Sequence, residues 1–170
     1  MDKTENPWSV ELAVEDVPEN GLHRDIEALE PVRAALAKLA GVRALPQLAA
    51  AFDLARRGSG IHVSGRVKAR VEQTCVVTLD PMESVVEEMV DLLFLPGAVA
   101  AGHDEGDPPE PLIGGKIDLG AIAAEFFLLG IDPYPRKRGA EFVPPSTESG
   151  GEHPFASLAP LKKRLGGGQS

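Results

Sequence analysis

Arg66, Lys68 and Arg70 stand at i, i+2 and i+4, so on an extended strand all three project from one face in a row roughly 13 Å long. Such a row suits phosphate oxygens, with an affinity that falls as salt rises. It equally suits carboxylates of the same chain, whose positions across a sheet the sequence does not reveal. Arg56 and Arg57 approach from the preceding segment. A second cluster, Arg136, Lys137 and Arg138, follows Pro133-Tyr134-Pro135, where a stiff extended backbone presents three cations beside the Tyr134 ring. A third combination places Phe155, Leu158 and Leu161 ahead of Lys162, Lys163 and Arg164; as a short helix it would dock on a partner or fold back on its own domain. These three groups are the candidate partner-binding residues, for RNA or protein.

Catalytic chemistry is harder to assemble. His23, His62, His103 and His153 are scattered without metal-ligand spacing between any pair, and a single cysteine, Cys75, excludes both a disulfide framework and a cage of several thiolates. Gly58-Ser59-Gly60 lacks the further glycines and the following helix of a phosphate loop, and Gly114-Gly115-Lys116 lacks the loop before it. No catalytic residue, metal or cofactor is therefore assigned, and no small-molecule substrate. The competing class is a small hydrolase or nuclease using carboxylates and a histidine, which needs a cleft where those groups converge.

The elements that must carry the cations follow from periodicity. Trp8, Val10, Leu12 and Val14 alternate with polar residues as in a half-buried strand. A helix ends near Ala40, with Pro31 in its first turn, Val32, Leu36 and Leu39 on one face and Gly41 as its stop. Leu45 to Arg57 and Gly60 to Leu79 read as two strands about a short hairpin turn, though the alanine-rich first strand also suits a helix. In the second, Ile61, Val63, Val67, Ala69, Val71, Cys75, Val77 and Leu79 share one parity and the basic row the other, which turns Cys75 inward. Asp118 caps a helix using Leu119, Ile122, Ala123, Phe126 and Leu129, closed by Gly130. Met82 to Phe94 fits a helix by pattern, behind Pro81 and a capping-box pair, Asp80 and Glu83. A strand with Val86, Val90, Leu92 and Phe94 on one face is the alternative.

At 170 residues the chain has room for one compact domain with length to spare. Its excess of glycine and proline falls in two places, residues 96–116 and the stretch after Phe142. The first is expected to be a mobile loop and the second, 144–170, a flexible tail with a docking segment at 153–165; a single domain then spans 1–143. No apolar stretch is long enough for a membrane span and no secretory signal opens the sequence, so a cytoplasmic protein without membrane contact is expected. The net charge of −9 disfavours coating nucleic acid with the whole surface. Its distribution matters more: residues 31–79 carry +6 between blocks of −7 (1–30) and −10 (80–130).

Three stretches together resemble a known family. Gly65 to Pro81 (GRVKARVEQTCVVTLDP), Ile117 to Phe142 (IDLGAIAAEFFLLGIDPYPRKRGAEF) and His153 to Leu165 (HPFASLAPLKKRL) are similar to the YceD family of large ribosomal RNA subunit accumulation proteins, in its alphaproteobacterial form. The resemblance implies a non-enzymatic bacterial protein needed for 23S rRNA accumulation, with rRNA or a large-subunit ribosomal protein as partner. It also implies a strand after the cysteine, which displaces the helix reading of Met82 to Phe94. Many members carry Cys-x-x-Cys where this chain has Cys75-Val76-Val77-Thr78, so no metal or redox role of that pair carries over. The expected fold is α+β: an antiparallel sheet, with barrel closure as one form open to it, packed with two or three helices.

Overall fold

The computed structural model describes residues 6–97 and 108–142. The docking segment 153–165, with Phe155, Leu158 and Leu161, lies outside the described residues, as do the rest of the tail and most of the expected 96–116 loop. All the elements belong to one unit, Met1–Ala140; of the second, Glu141–Ser170, only residues 141–142 are described.

The fold is α+β, built on five strands in the order β2-β3-β4-β5-β6. These are β2 (Leu22–Glu27), β3 (Ala44–Arg57), β4 (Gly60–Thr74), β5 (Pro81–Pro96) and β6 (Glu110–Leu112). The sheet is open, with β2 and β6 at its edges, so no barrel closes. It is also mixed, because β6 runs parallel to β5. That short strand lies within the stretch expected to be a structureless loop, where Pro109 and Pro111 hid it; proline is tolerated at a sheet edge because no ladder partner needs its missing N–H.

The alternation in β4 builds the core. Ile61, Val63, Val67, Ala69 and Val71 are buried on the inner face together with Leu48, Phe52 and Leu54 from β3. Gly65 completes this row: a Cβ there would lie 2.2 Å from the Ala51 carbonyl oxygen and 2.9 Å from the Phe52 ring, so only glycine lets the two strands approach. β4 stops at Thr74, five residues before the expected end, and the chain turns through Cys75–Asp80. Leu79, expected inward, is 75% exposed with φ 61° at the turn's tip. Met82 to Phe94 is a strand, with Val86 and Val90 buried; its helical spacing lost to a ladder in which every residue from Pro81 to Phe94 has a partner on β4.

Helix α1 (Glu30–Ala40) begins with Pro31 in its first turn and ends at Gly41, whose left-handed φ of 67° stops it. Helix α2 (Leu119–Gly130) starts where Asp118 accepts the Ala121 N–H at 3.0 Å. Their inward faces are rotated from expectation. Leu36 and Ala37 are buried while Leu39 is half exposed, and Ala123 and Phe127 are buried while Leu129 is out in solvent. Ala37, Ala123 and Ala124 share the inward positions with Leu36, Leu119, Ile122 and Phe127. Burying the Phe127 side chain is worth about 1.5–3 kcal/mol and seals α2 to β4 and β5. A separate two-stranded clasp joins β1 (Glu11–Ala13) to β7 (Lys116–Asp118). β1 is shorter than the expected strand: Trp8 is buried before it, and Val14–Asp16 turn as a 3-10 helix after it.

Candidate nucleic-acid interface

The basic row is where the alternation placed it. Arg66, Lys68 and Arg70 emerge from the outer face of β4, opposite the face that α2 covers. Their surroundings follow from register. Lys68 faces Glu87 directly, while Arg66 and Arg70 face Met89 and Val85 and reach diagonally to the nearest carboxylate. Glu87 accepts Arg66 at 3.0 Å and Lys68 at 3.4 Å, and Glu83 accepts Arg70 at 2.8 Å. All five side chains are about half exposed, so each pair is worth about 0.2–1 kcal/mol and opens readily. Arg56, expected to join this row, instead donates to the carbonyls of Val17 and Val14 and braces the N-terminal segment.

The outer face as a whole is acidic. Asp25, Glu27, Asp53, Glu72, Glu83, Glu87 and Asp91 share it with only Arg57 and the basic row among lysines and arginines. The sequence blocks conceal this, because β2 and β5 are acidic strands and register alone sets them on either side of β3 and β4.

The second cluster lies at the turn end of the β4–β5 hairpin. Residues 132–138 are pinned there: Val76 N–H donates to the Pro135 carbonyl at 2.9 Å, the Lys137 N–H to Cys75 Sγ at 3.4 Å, and Gln73 Nε2 to the Asp132 carbonyl at 2.9 Å. Asp132 in turn accepts the Tyr134 N–H at 2.8 Å. The stiffness attributed to two prolines is thus reinforced by tertiary hydrogen bonds. Arg136, Lys137 and Arg138 line a hollow of about 690 Å³ with Met82, Glu83, Ser84 and Val85. Arg70 reaches its rim through Glu83, so one basic residue of the first cluster joins the second. Lys137 pairs with Asp80 at 3.3 Å; Arg136 and Arg138 have no ion-pair partner among the described residues. Tyr134 is 70% exposed. Among the described residues the end therefore offers two guanidinium groups without ion-pair partners, two exchangeable cations and an open aromatic ring on a fixed backbone. Groups of this kind suit phosphate and the faces of unpaired bases.

Cys75 is enclosed beside this hollow. The Thr78 side chain and then the N–H groups of Lys137 and Thr78 donate to its sulfur, and these donors pull the thiol down to about 6. Asp80 is held below the usual carboxylate range by Thr78 and Lys137.

The grouping that an enzyme requires is present only in part. His23 Nδ1 lies 2.7 Å from Asp53, which together with Asp25 raises its pKa, and His62 lies 2.6 Å from Asp91. Ser64 stands between Asp53 and Asp91 on the same rung, yet its hydroxyl donates to the Asp53 carbonyl, not to an imidazole. No three metal-binding side chains converge among the described residues. Sequence reasoning missed both His–Asp pairs, since their members are about thirty residues apart and meet only through register.

Among the described residues no helix is long and apolar enough to cross a membrane. Neither the curated proteins nor the solved structures supply a match. A family model does, that of the large ribosomal RNA subunit accumulation protein YceD, over residues 63–162. The matched span opens in β4 and takes in the basic row, the Cys75 turn, β5, α2 and the pinned cations at 136–138. Covering more than half of the chain in one piece, it establishes that the chain belongs to the YceD family, whose role lies in accumulation of the large ribosomal RNA and so in ribosome biogenesis.

Proposed function

We propose that this chain is a cytoplasmic factor in large-subunit biogenesis that acts by binding, without catalysis, and that it contacts 23S rRNA through the basic hollow at the turn end of the β4–β5 hairpin. The observation that carries this reading is the pinned segment 132–138, which holds Arg136, Arg138 and Tyr134 outward with their backbone already ordered. Preorganised cations bind without the entropy cost of fixing a loose arm. The basic row contributes mainly Arg70; Arg66 and Lys68 remain with Glu87 in the acid-rich middle of the sheet. An accumulation factor of this kind protects or positions a single-stranded stretch of immature rRNA, where exposed bases reach Tyr134 and phosphates reach the guanidinium groups.

The test is binding of 23S rRNA fragments over a salt series by the wild type and by Arg136→Gln with Arg138→Gln. The double variant is expected to bind more weakly and to lower the slope of log K against log salt by about 0.7 for each phosphate it no longer neutralises. An unchanged slope and affinity would exclude the hollow as the RNA site.

A further inference from the structure

A second surface is built on different chemistry. Both helices pack on the inner side of the sheet, and among the described residues the outer face of β2 to β5 is uncovered. It is concave, enclosing a trough of about 950 Å³, at the upper end of the volumes that hold a ligand. The floor is made of Ala49, Ala51, Ser64 and Gly65, small enough for a visiting backbone to approach the sheet closely. Asp25, Glu27, Asp53 and Asp91 stand at the walls. Arg66 and Lys68 also line it and share Glu87, while Asp25 and Asp53 flank His23 and Asp91 lies against His62, so the trough's carboxylates outnumber its lysine and arginine side chains. Met89, 63% exposed at one side, supplies an apolar contact.

We infer that this trough takes a lysine- and arginine-rich segment of a protein partner. Small floor residues admit the segment's backbone, the carboxylates meet its ammonium or guanidinium heads, and Met89 meets their aliphatic stems. Nucleic acid is the poorer occupant here: phosphates would face four carboxylates against two cations, and the lining has no aromatic ring on which a base could stack. The inference goes beyond rRNA binding and does not depend on it, since the basic hollow and the trough share no lining residue. Together they describe a protein that holds an acidic and a basic macromolecule at separate places.

The probe is a fluorescein-labelled peptide of alternating lysine and alanine, titrated with the full chain by anisotropy. Asp25→Asn with Glu27→Gln, both exposed on the edge strand, is expected to weaken binding about tenfold. Ala51→Leu, which fills the floor from the outer face, is expected to weaken it at least as much. Glu15→Gln with Glu19→Gln removes the same charge from outside the trough and is expected to leave affinity within about twofold. Arg136→Gln with Arg138→Gln is expected to leave it unchanged, which keeps this result separate from the RNA test. Thermal melts confirm that each variant folds. Wild-type affinity in Ala51→Leu, or an equal loss in Glu15→Gln with Glu19→Gln, would overturn the proposal by showing attraction to net charge alone. Loss of rRNA affinity in Ala51→Leu would overturn it by giving the trough to RNA.

Discussion

Cys75 Sγ sits where β4 ends, enclosed by its own turn and by the backbone of Lys137. Thr78 stands where the family resemblance implies a second cysteine, and it supplies hydrogen-bond donors to the chain's one thiol. A thiol held near 6 is largely thiolate at neutral pH, yet its burial keeps reagents out. Thr78→Val is expected to move the Cys75 pKa back up towards the ordinary thiol range, read by thiolate absorbance in a pH titration; no movement would leave only the backbone donors as the cause. His23 predicts a second pH effect. Its pKa is raised by Asp53 and Asp25, so the charged pair stabilises the fold fully below the unfolded value of about 6.5, and that stability is lost as pH rises through the folded value. Asp80 works in the opposite sense: its depressed pKa contributes above the ordinary aspartate range and is lost in acid. Denaturant midpoints should therefore fall between pH 6 and 8 in the wild type by more than in His23→Gln. Equal falls in the two proteins would remove His23 from the account.

At the scale of elements, what could be read ahead of the fold was whatever a short window contains. The parity of β4 placed the basic row and the core, Gly41 stopped α1 and Asp118 started α2, because alternation, a left-handed stop and a cap are local signals. β2 escaped notice because an edge strand reading Leu-His-Arg-Asp-Ile-Glu has only two apolar residues to show. Met82 to Phe94 resisted because its spacing satisfies two periods and only pairing with β4 decides between them. The Glu83 and Glu87 partners were equally hidden, since a carboxylate 13 to 21 residues away becomes a neighbour only through register. One element depends on a single missing atom. Gly65→Ala would press a methyl group against the Ala51 carbonyl, which backbone cannot yield cheaply. The substitution is expected to lower stability by about 1–3 kcal/mol, measured as a reduced urea midpoint with unchanged m-value; a midpoint like that of the wild type would mean that β3 and β4 separate without cost.

The whole molecule is charged at −9, and among the described residues an acid-walled trough and a basic end lie apart. The N-terminal segment is tied to the start of α2 by one side chain. Asp118 accepts from Val10 N–H at 2.8 Å, Ser9 Oγ at 2.7 Å and Ala121 N–H at 3.0 Å, so one carboxylate both caps α2 and holds the chain's beginning against it. Asp118→Ala removes all three hydrogen bonds and is expected to cost about 1–3 kcal/mol. Hydrogen exchange should show the Val10 amide losing protection more than β4 does. Uniform loss along the chain would indicate instead that the clasp and the sheet unfold together.

That clasp also sets a timetable. Leu12 pairs with Ile117, so β1 waits during synthesis for a partner more than one hundred residues behind it. At about 5–20 residues per second the delay is on the order of five to twenty seconds. The β3–β4–β5 meander needs only neighbouring segments and can pair in the meantime. During synthesis, pairing within the meander therefore does not wait for β1 to find β7.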